Sequence, residues 1–136
     1  MLWNSVNTDV QVRFNDTDLQ GVVWHGNYLS YLELGRFDWF EKMKNLFINI
    51  LPDNYKFVII EVNVQYISPA KFGDSLFVTT TLKDISRPQI IFKQIVVRNE
   101  KILINSETKV SALDERNRIV IFSKEIINKL KNEKPN

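Results

Sequence analysis

Apolar and polar residues alternate along much of the chain. Val10, Val12 and Phe14 alternate with polar neighbours, and this period of two predicts a half-buried strand over residues 6–14. The same alternation returns after residue 54. It predicts four strands and a short fifth one, over residues 58–66, 76–82, 90–98, 102–112 and 119–122.

A helical pattern interrupts the alternation between residues 27 and 45. Leu29, Leu32, Phe40 and Met43 share one face of that helix. The other faces also carry apolar side chains, namely those of Tyr28, Tyr31, Leu34, Phe37 and Trp39. Because a helix that is apolar nearly all round is buried on most sides, we predict that it forms the centre of the fold. Its aromatic side chains are expected to fill the core rather than to line a pocket.

Short turn segments separate the predicted strands after the helix, at residues 68–74, 86–88, 99–101 and 114–118. Strands joined by short turns are antiparallel neighbours, and Ser123 is placed to cap a last helix. This order predicts one α+β domain over residues 1–136, with a sheet wrapped around the long helix and a frayed end at 132–136. Such a sheet has open edges, which dimerisation would cover by extending the sheet.

The composition narrows the possible chemistry and location. The 136 residues include no cysteine, which excludes disulfides, thiolate nucleophiles and cysteine-based zinc sites and suits a reducing compartment. Residues 1–14 show no signal-peptide pattern, and no apolar run approaches the ~20 residues of a membrane span. We therefore expect a cytoplasmic protein. The net charge is +2, and the lysines near the end are interpreted as a solvated helix face, not as a nucleic-acid surface.

The segment 15–28 contains the candidate chemistry. Two carboxylates, Asp16 and Asp18, precede the single histidine, His25, and the predicted helix follows directly. Free N–H groups at a helix start favour a developing negative charge, so this segment can serve acyl transfer. From the residues alone, an Asx turn for the acids and a hydrogen-bonded structural histidine stay open as alternatives. The spaced oxygen ligands of a calcium loop are missing, so we expect no metal.

A longer motif includes this segment and points to a known family. It consists of Arg13-Phe14-Asn15-Asp16-Thr17-Asp18, then Gly21-Val22-Val23-Trp24-His25-Gly26-Asn27-Tyr28, then Glu33 and Arg36. The motif resembles the 4-hydroxybenzoyl-CoA thioesterase family, in particular its bacterial acyl-CoA thioesterase branch, which is often associated with the Tol–Pal cluster. The order of predicted elements agrees with that family from residue 6 to about residue 130.

The resemblance implies a hotdog fold, a dimer with a continuous sheet and often a tetramer of two dimers. It implies hydrolysis of an acyl-CoA thioester without metal or cofactor. The catalytic carboxylate then falls on Asp18, as nucleophile or as general base, and His25 orients the thioester or assists the leaving thiolate. Backbone N–H groups near His25 and Gly26 hold the oxyanion, while Asn27 and Tyr28 shape the acyl site.

Other residues are expected to have supporting roles. Asp16 supports the acidic loop, and Glu33 with Arg36 is expected to form an ion pair that anchors the helix. The CoA phosphates require cations, for which Arg87 and Lys71 are the candidates and Lys93 a further one.

Two other functions are compatible with the same motif. One is a hotdog dehydratase acting on a hydroxyacyl thioester, and the other is a non-catalytic module that binds acyl-CoA or a partner protein. The length and type of the acyl group stay open.

Overall fold

The computed structural model describes residues 3–47 and 51–132. Its elements are β1 (Trp3–Gln11), a 3-10 turn (Phe14–Asp16), α1 (Asn27–Phe47), β2 (Lys56–Tyr66), β3 (Ser75–Ser86), β4 (Gln89–Arg98), β5 (Lys101–Leu113) and α2 (Lys124–Asn132). The five strands form one antiparallel sheet, and α1 packs against one of its faces. The predicted α+β class is confirmed. The frayed end was predicted at residues 132–136. Asn132 is the last residue of α2, and residues 133–136 lie outside the described residues.

The strand order in the sheet is β1-β3-β4-β5-β2. The prediction that all consecutive strands are neighbours is therefore wrong for β2 and β3, because β2 pairs with β5 at the far edge. Three strand spacings of about 4.8 Å separate β2 from β3, and residues 67–74 are long enough to cross that distance. This crossing loop runs along one end of the sheet.

The first strand ends earlier than predicted. β1 stops at Gln11, and Phe14 lies in the 3-10 turn with 77% of its surface exposed. The Asp16 carboxylate accepts a hydrogen bond from the Arg13 N–H at 2.9 Å. This local bond turns the chain away from the strand direction.

The predicted strand at residues 119–122 is also wrong. An isolated bridge pairs Ile119 with Leu113, and the Val120 N–H donates to the Ala112 carbonyl at 2.9 Å, but the Phe122 N–H donates to the carbonyl of Arg87 at 2.7 Å. The segment therefore leads into α2, whose first turn is capped as predicted: the Ser123 hydroxyl accepts from the Ile126 N–H at 3.2 Å.

Helix α1 buries one face and exposes the other. The buried stripe follows the helical period and consists of Tyr28, Tyr31, Leu32, Gly35, Arg36, Trp39, Met43 and Phe47. The expectation of burial on most sides is wrong, since Leu34 is 52% and Phe37 is 64% exposed. Tyr31 and Trp39 fill the core as predicted, and Phe40 packs against it.

Two apolar clusters lie between the helices and the sheet. One surrounds Trp39, Phe92 and Phe122 and is covered by Ile126 and Leu130 of α2. The other lies at the Tyr28 end of α1 and supports the segment 15–28. No helix in the described ranges is both long and apolar enough to cross a membrane.

Candidate active site

The acidic loop, residues 15–23, folds back on itself as a tight hairpin. The Asp18 N–H donates to the Val22 carbonyl at 2.9 Å, and the Gly21 N–H donates to the Asp18 carbonyl at 3.0 Å. Gly21 has φ of +81°, a left-handed conformation that glycine adopts without strain. One Asp18 carboxylate oxygen accepts from the Gln20 N–H at 2.8 Å, which is the Asx turn left open above. The other oxygen accepts no hydrogen bond from any residue that the structure describes.

Asp16 connects the acidic loop to the start of α1. Its Oδ2 accepts from the Arg13 N–H at 2.9 Å and from the Tyr31 hydroxyl at 2.8 Å. Its carbonyl accepts from the Trp24 N–H at 2.9 Å and from the Asn27 side-chain amide at 2.7 Å. Burial and the bond to Asp16 raise the pKa of Tyr31 well above its ordinary value, so the hydroxyl remains a donor. These contacts agree with the supporting role expected of Asp16.

The crossing loop, residues 67–74, holds the far side of the acidic loop. The Val23 N–H donates to the Ala70 carbonyl at 2.9 Å, and a bridge pairs Val22 with Lys71. The Ala70 N–H in turn donates to the Tyr28 hydroxyl at 2.9 Å. The acidic loop, the crossing loop and the first turn of α1 are thereby held together at one end of the sheet.

An ion pair fixes the crossing loop to β4. Asp74 Oδ2 accepts from Arg98 Nη1 at 2.7 Å and from the Lys71 N–H at 2.8 Å, and Arg98 also donates to the Pro69 carbonyl. Partial burial alone would raise the pKa of Asp74, but these donors outweigh it and hold the pKa below its ordinary value.

His25 lies in the turn that leads into α1. Its exposed ring packs on Trp24, with ring centroids 5.0 Å apart, and meets the edge of Tyr66 at 6.4 Å. The Tyr66 hydroxyl donates to the His25 carbonyl at 3.0 Å. A Cβ atom at Gly26 would overlap the Trp24 indole, which explains the glycine there. The N–H groups of His25 and Gly26 donate no hydrogen bond to any residue in 3–47 or 51–132.

Asp18 and His25 line the same pocket, which has a volume of about 280 Å³. Tyr28 and Tyr66 form its aromatic wall, and the remaining lining residues are Val22, Val23, Ile67, Ser68 and Pro69. Within residues 3–47 and 51–132, no hydrogen bond joins the Asp18 carboxylate to the His25 ring. A carboxylate with a free oxygen, an imidazole and unpaired backbone N–H groups can together promote acyl transfer.

Tyr66 was not predicted as a site residue. It ends β2, which the strand order places far from β1 and the acidic loop along the sheet. An aromatic residue at a strand end beside a turn was the available sequence signal, but only the crossing loop brings it to His25.

Asn27 and Tyr28 were also predicted to position the substrate, and only Tyr28 lines the pocket. The backbone N–H of Asn27 donates to the Trp24 carbonyl at 2.9 Å, and its side-chain amide donates to the Asp16 carbonyl, so the amide has one donor hydrogen left. Tyr28 is 2% exposed and presents its ring to the pocket. Burial raises the pKa of the Tyr28 hydroxyl, which keeps it neutral.

The predicted phosphate contacts are dispersed. Lys71 is exposed beside the acidic loop. Arg87 follows the other end of β3, and the strand from Ser75 to Ser86 spans roughly 36 Å at about 3.3 Å per residue. Arg87 donates to the Phe122 carbonyl at 3.4 Å. Within one chain it therefore lies far from Asp18.

Lys93 lies on the sheet face opposite α1. Its neighbour Gln94 donates to the Leu32 carbonyl of α1 at 2.8 Å, and adjacent side chains of a strand point to opposite faces of the sheet. Lys93 lines a groove of about 510 Å³ with Lys83 and Glu107, among other polar residues. This groove is larger than the Asp18 pocket but contains none of the acyl-transfer groups.

Glu33 and Arg36 do not form the predicted ion pair. No Glu33 carboxylate oxygen lies within 4.0 Å of a guanidinium nitrogen of Arg36. Arg36 Nη1 instead donates to Gln94 Oε1 at 3.0 Å and to the Thr108 hydroxyl at 3.5 Å. Within residues 3–47 and 51–132, no three His, Asp or Glu side chains come together as a metal site.

Comparison with known proteins supports the architecture. Residues 20–104 match the model of the thioesterase superfamily. Acyl-CoA thioesterase YbgC of Haemophilus influenzae is 30% identical over 128 residues, which cover 93% of this chain and 94% of that protein. The crystal structure of a hypothetical protein from Thermus thermophilus is 27% identical, with a TM-score of 0.80 over 93% of this chain and 95% of that one.

A crystal structure of a 4-hydroxybenzoyl-CoA thioesterase variant with 4-hydroxybenzoyl-CoA has the same fold. Its TM-score is 0.76 at 18% identity, over 92% of this chain and 97% of that chain. The predicted hotdog fold is confirmed.

Proposed function

The chain belongs to the thioesterase superfamily, and on that premise we propose that it hydrolyses an acyl-CoA thioester to a carboxylic acid and CoA. The observation that carries this proposal is the pocket shared by Asp18 and His25, beside two backbone N–H groups that have no partner in the described chain. The Haemophilus influenzae relative, an acyl-CoA thioesterase by name, aligns over nearly its whole length. The association with a Tol–Pal cluster stays a prediction.

Asp18 is the reacting carboxylate in this proposal, and two routes are open to it. As a nucleophile, its free oxygen attacks the thioester carbonyl, the C–S bond breaks, and water then hydrolyses the mixed anhydride. As a general base, it takes a proton from a water molecule that attacks the carbonyl directly. Both routes release the CoA thiolate, which takes up a proton. In a single turnover in ¹⁸O-labelled water, label in the Asp18 carboxylate identifies the nucleophilic route with water attacking the Asp18 carbonyl of the anhydride, whereas in the general-base route the label enters only the released acid.

The start of α1 supplies the electrophilic part of the site. The N–H groups of His25 and Gly26 are available to the carbonyl oxygen as negative charge develops, and the helix dipole adds to their effect. The His25 imidazole can orient the thioester or protonate the leaving thiolate, since a histidine can take either protonation state near neutral pH. Tyr28 and Tyr66 provide the wall against which the acyl group is placed.

A second copy of the chain is part of the proposal. β2 is a long edge strand, and its exposed Ile59, Ile60 and Val62 make it a template for pairing with another strand. Antiparallel pairing of two β2 strands about a two-fold axis extends the sheet into a dimer. Two such dimers would form the expected tetramer, and the solution mass tests both states. In this dimer, the Arg87 that lies at the same end of the joined sheet as Asp18 belongs to the second copy. Lys71 lies at that end in the same copy as Asp18.

The decisive experiment is Asp18→Asn, assayed by thiol release from several acyl-CoAs. Asparagine keeps the oxygen that accepts from Gln20, so the loop geometry is preserved. We expect kcat to fall by about 10²–10⁴-fold with unchanged thermal stability. The matched control is Asp9→Asn, an exposed position on β1, which should keep normal turnover.

Full turnover by the Asp18 variant would rule out this mechanism. Enoyl formation without thiol release would identify a dehydratase, and binding without turnover would identify a binding module. The proposal also places the enzyme in the cytoplasm, in keeping with a chain that lacks cysteine.

A further inference from the structure

A second groove, of about 490 Å³, lies between α1 and the first half of β2. Its apolar and aromatic lining residues are Phe37, Phe40, Tyr55, Phe57, Ile59 and Val110, and its charged ones are Glu33, Arg36, Glu41, Lys44 and Lys56. Of these five charged residues only Arg36 is buried, and the other four are exposed. Phe40 and Phe57 stack with ring centroids 4.2 Å apart. The mechanism proposed above uses none of these side chains.

Arg36 is the unusual member of this groove. It is only 8% exposed, yet no carboxylate in the described chain lies within 4.0 Å of its guanidinium. Nη1 has two neutral acceptors, Gln94 and Thr108, whereas Nε and Nη2 donate to no residue that the structure describes. Burial lowers the pKa of Arg36, and the nearby Glu33 charge opposes that effect. A buried cation without an anionic partner is costly, so this arrangement favours a bound anion.

The chemistry of the groove identifies the kind of anion. A guanidinium presents a planar fork of donors that matches a carboxylate, and desolvation strengthens the interaction. The walls formed by Phe37, Phe40 and Phe57 suit an apolar chain behind that carboxylate.

The position of the groove relates it to the Asp18 pocket. Lys56, Phe57 and Ile59 line the groove at the beginning of β2, and Tyr66 lines the pocket at its end. When two β2 strands pair antiparallel about a two-fold axis, the beginning of one lies beside the end of the other. The groove of one copy then adjoins the pocket of the other.

We propose that this groove receives the distal end of the acyl group and that Arg36 binds a carboxylate carried there. This inference rests on the proposed function and names its substrate class: ω-carboxyacyl-CoA, the half thioester of a dicarboxylic acid. Glu33 is exposed and lies three positions before Arg36. Its negative charge repels the incoming carboxylate and limits the preference of the groove for an ω-carboxyacyl group.

The test compares hexanoyl-CoA with adipoyl-CoA, which have the same carbon count and differ in the terminal carboxylate. The quantity measured is the ratio of their kcat/KM values, adipoyl over hexanoyl, by thiol release. The wild type should favour adipoyl-CoA by tenfold or more. Arg36→Met should lower the ratio at least tenfold, and Glu33→Gln should raise it severalfold. The matched control Arg116→Met, at an exposed turn, should leave the ratio unchanged.

A wild-type ratio of one or below would overturn the proposal. So would an equal loss on both substrates in Arg36→Met, because that result assigns the arginine to CoA binding or to folding. If Arg36→Met does not fold, the surface variant Glu33→Gln decides, and an unchanged ratio there rejects the idea.

Failure of the proposed function is recognised separately. In that case no acyl-CoA releases thiol, and the groove is tested by thermal shift of the wild type with hexanoate against the neutral hexanamide. A larger stabilisation by hexanoate, increased in Glu33→Gln, supports carboxylate binding at Arg36. Equal shifts with the two compounds contradict it.

Discussion

Gly35 sets the distance between α1 and the sheet, and Gly35→Ala tests that claim. Gly35 lies in the middle of α1, where alanine is normally preferred over glycine. A Cβ atom there would come within 2.6 Å of the Thr80 hydroxyl, 2.7 Å of a Val78 methyl and 2.9 Å of Gln94 Nε2. All three neighbours are buried, so none can move away freely.

The expected magnitude follows from three opposing contributions. Alanine gains about 1 kcal/mol of helix propensity over glycine. Overpacking of a filled core costs about 1–3 kcal/mol. Gln94 donates to the Leu32 carbonyl at 2.8 Å and to Thr80 at 2.9 Å, and losing one such bond costs about 1 kcal/mol more. The net loss is about 2 kcal/mol in the free energy of unfolding, or a Tm lower by about 8 °C at roughly 4 °C per kcal/mol.

Urea and thermal unfolding, followed by circular dichroism at fixed protein concentration, measure this change. Ser30 is an exposed position of the same helix, and comparing Ser30→Ala with Ser30→Gly measures the difference in helix propensity between alanine and glycine in this protein. The double variant with Val78→Ala should be less destabilised than the sum of the single variants, because part of the steric conflict is removed. A Gly35→Ala protein as stable as the wild type would refute the close-approach argument.

Two further predictions concern the loops around the site. Tyr31→Phe removes the hydroxyl that donates to Asp16, so kcat should fall several-fold with little change in KM. The free energy of unfolding should fall by about 1 kcal/mol. A normal kcat would show that the bond from Tyr31 to Asp16 does not position the acidic loop for catalysis. Asp74→Asn weakens the pair with Arg98 and should cost about 1 kcal/mol at pH 7. Because the folded pKa of Asp74 is depressed, its stabilisation is complete above the unfolded value of about 3.9 and is lost as pH falls through the folded value. The stability difference between wild type and Asp74→Asn should therefore shrink in urea titrations between pH 5 and pH 2, and a constant difference would contradict the assignment.

Local patterns in the chain predicted much of the fold. The start of α1 at Asn27 agrees with the predicted helix, and the Ser123 cap forms as expected. The β3, β4 and β5 segments agree closely with their alternating stretches. These features depend on contacts between residues close in sequence, which periodicity and turn residues report directly.

The candidate site was predicted less completely. Asp18 and His25 were identified within one short segment, and they share a pocket. Tyr66 and the unpaired guanidinium of Arg36 were not anticipated, because their neighbours are distant in sequence. The predicted pair of Glu33 with Arg36 is wrong for the same reason, since Arg36 Nη1 donates to Gln94 of β4 while Nε and Nη2 have no acceptor in the described chain.

The amino-acid sequence by itself determined the α+β class, the long helix and the segment that contains Asp18 and His25, since each depends on local order. Only the tertiary structure decided that β2 lies at the far edge of the sheet and that the crossing loop brings Tyr66 to His25. Alternation specifies which residues of a strand are buried, but not which strand lies beside it. That choice belongs to packing and long-range hydrogen bonds, and it determines which side chains complete the pocket.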